Sequence, residues 1–122
     1  MAYSRVVMGG GLSAGTALAL AGGVATGISA AGTSAGTATQ LAALGTQMIG
    51  TCASGAGVIL AAGGPGDELI LFNGGANQCL VYPPTGAKFN ALAANAAFIL
   101  PVNTNCQLDC VSATQWLVVM SA

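Results

Sequence analysis

The chain has 122 residues, of which 54% are hydrophobic and 4% charged, and its formal net charge is -1. One domain is the default at this length, and two cations, Arg5 and Lys88, are too few to bind nucleic acid or an anionic membrane surface. An ordinary soluble domain carries about 25% charged residues, so a chain this neutral is expected to bury much of its surface against other copies.

The first third of the chain is built from small residues. Residues 12–31, LSAGTALALAGGVATGISAA, lack charge, but Gly, Ser and Thr interrupt them too often for a membrane-spanning helix. Arg5 and the ISA before Ala31 have the outline of a secretory signal, yet the apolar part between them is too rich in glycine, and the N-terminus is expected to be retained. Residues 9–45 contain no aromatic and no charged side chain. SAGTA occurs twice, at 13–17 and 34–38, about 21 residues apart, and two copies are too few to define a repeat protein. ATQLAAL (38–44) reads either as one or two helical turns or as the start of a strand. With so few large side chains, residues 1–45 are read as an N-terminal arm that lies along other subunits, ahead of a β domain over 46–122.

From residue 45 onward, Val, Ile, Leu, Phe and Tyr come in short runs bounded by Gly, Asn and Pro. This pattern predicts strands at 47–52, 57–60, 68–73, 78–82, 87–92, 96–100, 106–111 and 115–120. Three turn stretches separate them. NGGAN (73–77) supplies the positive φ values of a hairpin turn, PPTGA (83–87) has two fixed φ angles before a glycine, and GGPGD (63–67) is a third. Turns at this spacing predict an all-β fold, an antiparallel β-sandwich of the jelly-roll type. LILF (69–72) and WLVVM (116–120) do not alternate apolar with polar residues. A strand with one wet face should alternate, so the outer face of these strands is expected to be covered by a neighbouring subunit.

Reactive groups are scarce. With no histidine there is no imidazole base and no His-bearing metal site. Asp67 and Glu68 are adjacent, so on a strand they face opposite ways and cannot act as a paired acid and base. Asp67 is expected to shape the turn after Pro65-Gly66, Asp109 to be a turn or solvated strand residue, and Lys88 a solvated strand position. No Gly-rich stretch ends in a phosphate-binding Gly-Lys-Ser/Thr. Cys52, Cys79, Cys106 and Cys110 lack the spacing of a CxxC redox motif or of paired zinc ligands. They read as buried free thiols, with a disulfide between neighbouring strands as the alternative, one that a secreted, disulfide-stapled β domain would require. No catalytic, cofactor-binding or metal site is expected, and no small-molecule substrate. The one group of exposed-type amides and aromatics is Asn73, Asn77, Gln78 and Tyr82.

The order of motifs from GVIL (57–60) through PGDE, LILFNGGANQCLVYPPTG and KFNALAANAAFIL to ATQWLVV resembles a group of small virion proteins of tailed bacteriophages. The residues that carry the resemblance are Gly66-Asp67, Asn73, Tyr82-Pro83, Gly86 and Asn90, and the upstream GISAAGTSAGTATQL is similar as well. It spans roughly residues 27–116. The chain departs from the pattern at LAAGGPGD, which lacks a proline after the leucine. The resemblance implies a structural role without catalytic residues. The expected protein is a capsid decoration (cement) protein that contacts the major capsid protein and other copies of itself, as a homotrimer in the virion, assembled in the host bacterial cytoplasm. A tail or head fibre, or an adhesin module binding host surface glycans, is the alternative.

Overall fold

The computed structural model describes residues 24–42 and 45–120. Within them the chain is all-β, and it forms two sheets. The strands are β1 (Val24–Ala30), β2 (Thr39–Gln40), β3 (Gly45–Cys52), β4 (Gly57–Ile59), β5 (Glu68–Asn73), β6 (Cys79–Tyr82), β7 (Lys88–Phe89), β8 (Phe98–Leu100), β9 (Asn105–Ser112) and β10 (Gln115–Met120). One sheet has the order β1-β3-β5-β9-β10-β7, the other β2-β4-β6-β8.

The chain alternates between the sheets from β1 to β6. Successive strands of one sheet are therefore parallel: β1 with β3, β3 with β5, β2 with β4 and β4 with β6. Each circuit advances the register by roughly 19–24 residues, the length of one coil of a β-solenoid. Among the described residues three coils stack in this way. The stack then ends on antiparallel strands, with β9 against β5, β10 against β9 and β8 against β6.

This topology corrects the antiparallel jelly-roll expectation. The turn stretches at 63–67, 73–77 and 83–87 do not fold strands back beside their neighbours. They carry the chain from one sheet to the other. Glycine and asparagine serve a solenoid corner and a hairpin equally well, because both need positive φ or a side chain that bonds the backbone. The one hairpin between long strands joins β9 and β10.

The core lies between the sheets. The inward positions of β5 and β9 are Leu69, Leu71, Cys106, Leu108 and Cys110, and they face Val58, Val81 and Leu100 of the other sheet. Trp116 and Phe89, paired across β10 and β7, close the far end. Phe89 meets Phe98 edge to face, with ring centroids 4.8 Å apart, a favoured aromatic geometry.

Of the residues read as an arm, β1 and β2 belong to this stack as its first coil. The corner between them is an ordered turn. Thr37 Oγ1 accepts the Thr33 and Ser34 N–H groups at 3.2 and 3.3 Å, and Ala38 N donates to Ser34 O at 3.0 Å. Gly32 is required there, since its φ is +73° and a Cβ would strike the Thr37 carbonyl. ATQLAAL starts as the short strand β2 rather than as a helical turn. Residues 1–23 of the arm, with the first SAGTA and the Arg5 end of the secretory-signal outline, lie outside the described residues, whereas the ISA of that outline lies in β1.

Candidate interaction surface

The side chains with polar chemistry go first to the corners of the coils. Asn73 ends β5 and is fully buried. Its Nδ2 donates to Asn77 O and Leu100 O, both at 2.9 Å, and its Oδ1 accepts Gly75 N–H at 3.0 Å. Asn77 Nδ2 donates to Cys52 O at 2.9 Å, which ties this corner to the coil before it. Gln47 is buried in β3 and bonds the backbone of Ala42 twice, accepting its N–H at 3.2 Å and donating to its carbonyl at 3.0 Å. Asp67 shapes its turn as expected: Oδ2 accepts Gly64 N–H at 2.8 Å. Asn90 sits at φ 47° just beyond β7 and continues its pairing through the side chain. There Oδ1 accepts Val118 N–H at 3.0 Å and Nδ2 donates to Val118 O at 3.3 Å.

Most residues that carry the phage resemblance therefore hold corners. Gly66 (φ +93°) and Gly86 (φ +86°) supply turn conformations, Pro83 is buried, and Asn73 and Asn90 substitute for missing backbone partners. The Asn73, Asn77, Gln78 and Tyr82 group does not form an open amide cluster. Asn73 is buried, Asn77 is bonded to Cys52, and Tyr82 is half-buried with its hydroxyl 3.5 Å from Thr33 O; Gln78 is exposed.

All four cysteines are buried and unbonded. Cys52 Sγ donates to Gln78 O at 3.4 Å and lies beside Cys79. Burial, with Cys52 adding to it, pushes the Cys79 thiol up to about 12, and burial alone does the same for Cys106. Cys110 is raised by burial and then by the Asp67 carboxylate. Thiols held protonated in this way are poor nucleophiles. Among the described residues no group of three His, Cys, Asp or Glu side chains is placed to hold a metal ion, and no helix is long and apolar enough to cross a membrane.

What remains outside is the outer face of the larger sheet. Register places its outward side chains in rows across the strands. One row runs Thr46, Ile70, Gln107, Val119, the next Met48, Phe72, Asn105, and a third Glu68, Asp109, Leu117. Ile70 is 43% exposed, Leu117 45% and Val119 68%. Together with Met120 and Gln107, Ile70 and Val119 border a shallow, open depression. The non-alternating LILF and WLVVM runs are thus explained. Leu69, Leu71 and Trp116 point into the core, while Ile70, Leu117 and Val119 point out.

The charges on this face are Glu68 and Asp109 on β5 and β9 and Lys88, the outward residue of the edge strand β7. Glu68 and Asp109 stand directly opposite each other across β5 and β9, an unfavourable pairing of like charges. Gln107 offsets it: its Nε2 lies 3.1 Å from Glu68 Oε1 and 3.3 Å from Asp109 Oδ1, donating to both. The second sheet also has an apolar outer residue, Ile99, at 47% exposure.

A face of exposed aliphatics with few charges can bind another apolar surface. Among the described residues it has no ring of three His, Cys, Asp or Glu ligands. No protein-family model, curated protein or solved structure matches the chain.

Proposed function

We propose that the chain is a structural virion protein of a tailed bacteriophage, a capsid decoration (cement) protein that works by surface contact. Its partners in this reading are the major capsid protein and other copies of itself, as a homotrimer assembled in the host bacterial cytoplasm. The observation that carries the reading is the outer face of the larger sheet, where Ile70, Leu117 and Val119 are exposed in a chain with 4% charged residues. The resemblance of the corner motifs to small phage virion proteins supplies the virion setting. Apolar area contributes about 25 cal/mol per Å², so covering roughly 400 Å² contributes about 10 kcal/mol. Association costs about 4–15 kcal/mol, so one such contact is close to break-even. Closure into a ring, or repetition over a shell, makes modest contacts sufficient.

The test is the mass of the full chain in solution by light scattering at micromolar concentration. A trimer is expected. The double variant Ile70→Lys/Val119→Lys is expected to be monomeric with the same far-UV circular dichroism. A stable wild-type monomer, or a variant that remains trimeric, overturns the assignment of this face.

The fibre or adhesin reading draws on a different observation. A stack of parallel coils extends along one axis, as a fibre segment requires. Immunogold labelling of virions separates the two, because a decoration protein labels the whole head and a fibre labels its own appendage.

A further inference from the structure

We propose that Cys52 and Cys79 are the partners of a disulfide that ties the second coil of the stack to the third, closed by exchange with a low-molecular-weight disulfide and open under reducing conditions. Cys52 ends β3 in the larger sheet, and Cys79 opens β6 in the smaller one. Both side chains are buried in the core between the sheets, and both are free thiols in the structure. The pairing is independent of the virion reading.

The stacking of one coil on the next brings the two together. Cys52 Sγ donates to Gln78 O at 3.4 Å and to Ala56 O at 3.8 Å. These carbonyls bracket Cys79. Gln78 precedes it in the chain, and Ala56 O accepts the N–H of Leu80, which follows it, at 3.1 Å. The two thiols therefore lie side by side. The backbone holds them there. Asn77 Nδ2 donates to Cys52 O at 2.9 Å. A Cβ at Gly75 would stand 2.7 Å from Cys52 N and 2.9 Å from Cys52 Cβ, so glycine at that place lets the corner of the third coil press against Cys52.

Closing the bond forfeits little. The protons it removes serve the Cys52 contacts above and one from Cys79 Sγ to Leu80 O at 3.6 Å, and a thiol is a weak donor. The other two cysteines cannot pair with each other. Cys106 and Cys110 both point inward from β9, four residues apart. On an extended strand that spacing is about 13 Å, and a disulfide needs its Cα atoms within about 7 Å.

The bond forms in two exchanges. One cysteine loses its proton, and its sulfur attacks the small disulfide, forming a mixed disulfide and expelling one small thiolate. The second cysteine, deprotonated in turn, attacks the protein sulfur of that mixed disulfide and expels the other. The two protein thiols lose two electrons and two protons, and the small disulfide takes up both and leaves as two thiols. The bond closes a loop of about one coil, which restricts the unfolded chain.

The experiment unfolds the full chain in urea with reductant and refolds it near pH 8.5 in reduced and oxidised glutathione, so that access to the buried thiols does not limit exchange. Alkylation in denaturant is expected to add two labels per chain, on Cys106 and Cys110. Digestion without reductant is expected to yield Cys52 joined to Cys79. The urea midpoint of this species is expected about 1–2 M above that of the same chain in reductant. Four labels overturn the proposal, as does a link that includes Cys106 or Cys110, or a link between chains. A midpoint no higher than that of the reduced chain overturns it too.

Discussion

Replacing Asn73 by alanine separates a corner-holding role from a ligand-binding one. The buried amide makes three hydrogen bonds, to Asn77 O, Leu100 O and Gly75 N–H, and all three partners are backbone groups. Alanine leaves them without the amide in the interior, where an unmade bond costs about 1–3 kcal/mol. Allowing for relaxation and non-additivity, the loss is about 3–6 kcal/mol, a large share of the roughly 5–15 kcal/mol that holds a domain together. With a urea slope near 2 kcal/mol per M, the midpoint falls by about 2 M. Trp116 is the sole tryptophan and is buried, so its fluorescence reports the transition. Asn73→Asp keeps the acceptor for Gly75 but turns an oxygen toward two carbonyls, and is expected to be at least as harmful. Gln78→Ala, at the neighbouring exposed amide, is expected to stay within about 0.5 kcal/mol. A loss below about 1 kcal/mol for Asn73→Ala refutes the corner role.

Stability is expected to fall as pH rises above about 9. The native state keeps protons on Cys79 and Cys106, whose thiols titrate at about 12, while the unfolded chain releases them near the ordinary thiol value; each contributes a slope of up to about 1.4 kcal/mol per pH unit until the native thiols ionise. Urea midpoints between pH 8 and 10.5 check this, and because Cys110 is raised too, Cys106→Ala should remove between about a third and a half of the slope. Gln107→Ala leaves Glu68 and Asp109 opposed without their shared donor; a loss of about 0.5–1 kcal/mol at low salt is expected, and most of it should vanish in 1 M salt, where the screening length is about 3 Å. Gly32→Ala forces a Cβ into the Thr37 carbonyl at positive φ and should cost at least about 1–2 kcal/mol, whereas Gly64→Ala, with open space at its Cβ, should cost little; thermal melts of the two variants compare them.

The strands that bury large side chains were legible in the sequence. The runs at 68–73 and 115–120 are β5 and β10 as expected, and those at 47–52 and 57–60 differ only at the ends. The run at 87–92 shrinks to β7, Lys88–Phe89, because Asn90 at φ 47° leaves the strand and its side chain takes over the pairing. Strand β1, VATGISA, was not legible, since a mixture of small residues has little strand preference of its own. It extends because β3 pairs with it along nearly its whole length. Strand direction was hidden for another reason. A glycine-asparagine stretch satisfies a hairpin and a solenoid corner alike, and coils of unequal length blur the period that would have revealed the stack. The outer apolar face could be anticipated from the strands that fail to alternate. The burial of Asn73 could not, because an amide beside two glycines ordinarily reads as an exposed turn.

The topology also accounts for the sparse chemistry. A hairpin pairs the backbone on both sides of its turn within one sheet, but a coil corner crosses from sheet to sheet and leaves N–H and C=O groups facing the interior. Buried backbone groups must find partners. Here Gln47, Asn73, Asn77 and Asp67 supply them, and each gives at least one polar atom to a main-chain group. The atoms so bonded are held to the corners. The outward strand positions have no such duty, and at Ile70, Leu117 and Val119 they hold aliphatics. Solvation alone would favour polar residues at those places, and aliphatic ones gain nothing from water. They gain free energy only when another surface covers them. The same division, with polar groups turned inward at corners and apolar groups turned outward on strands, is what a protein acting through contact requires.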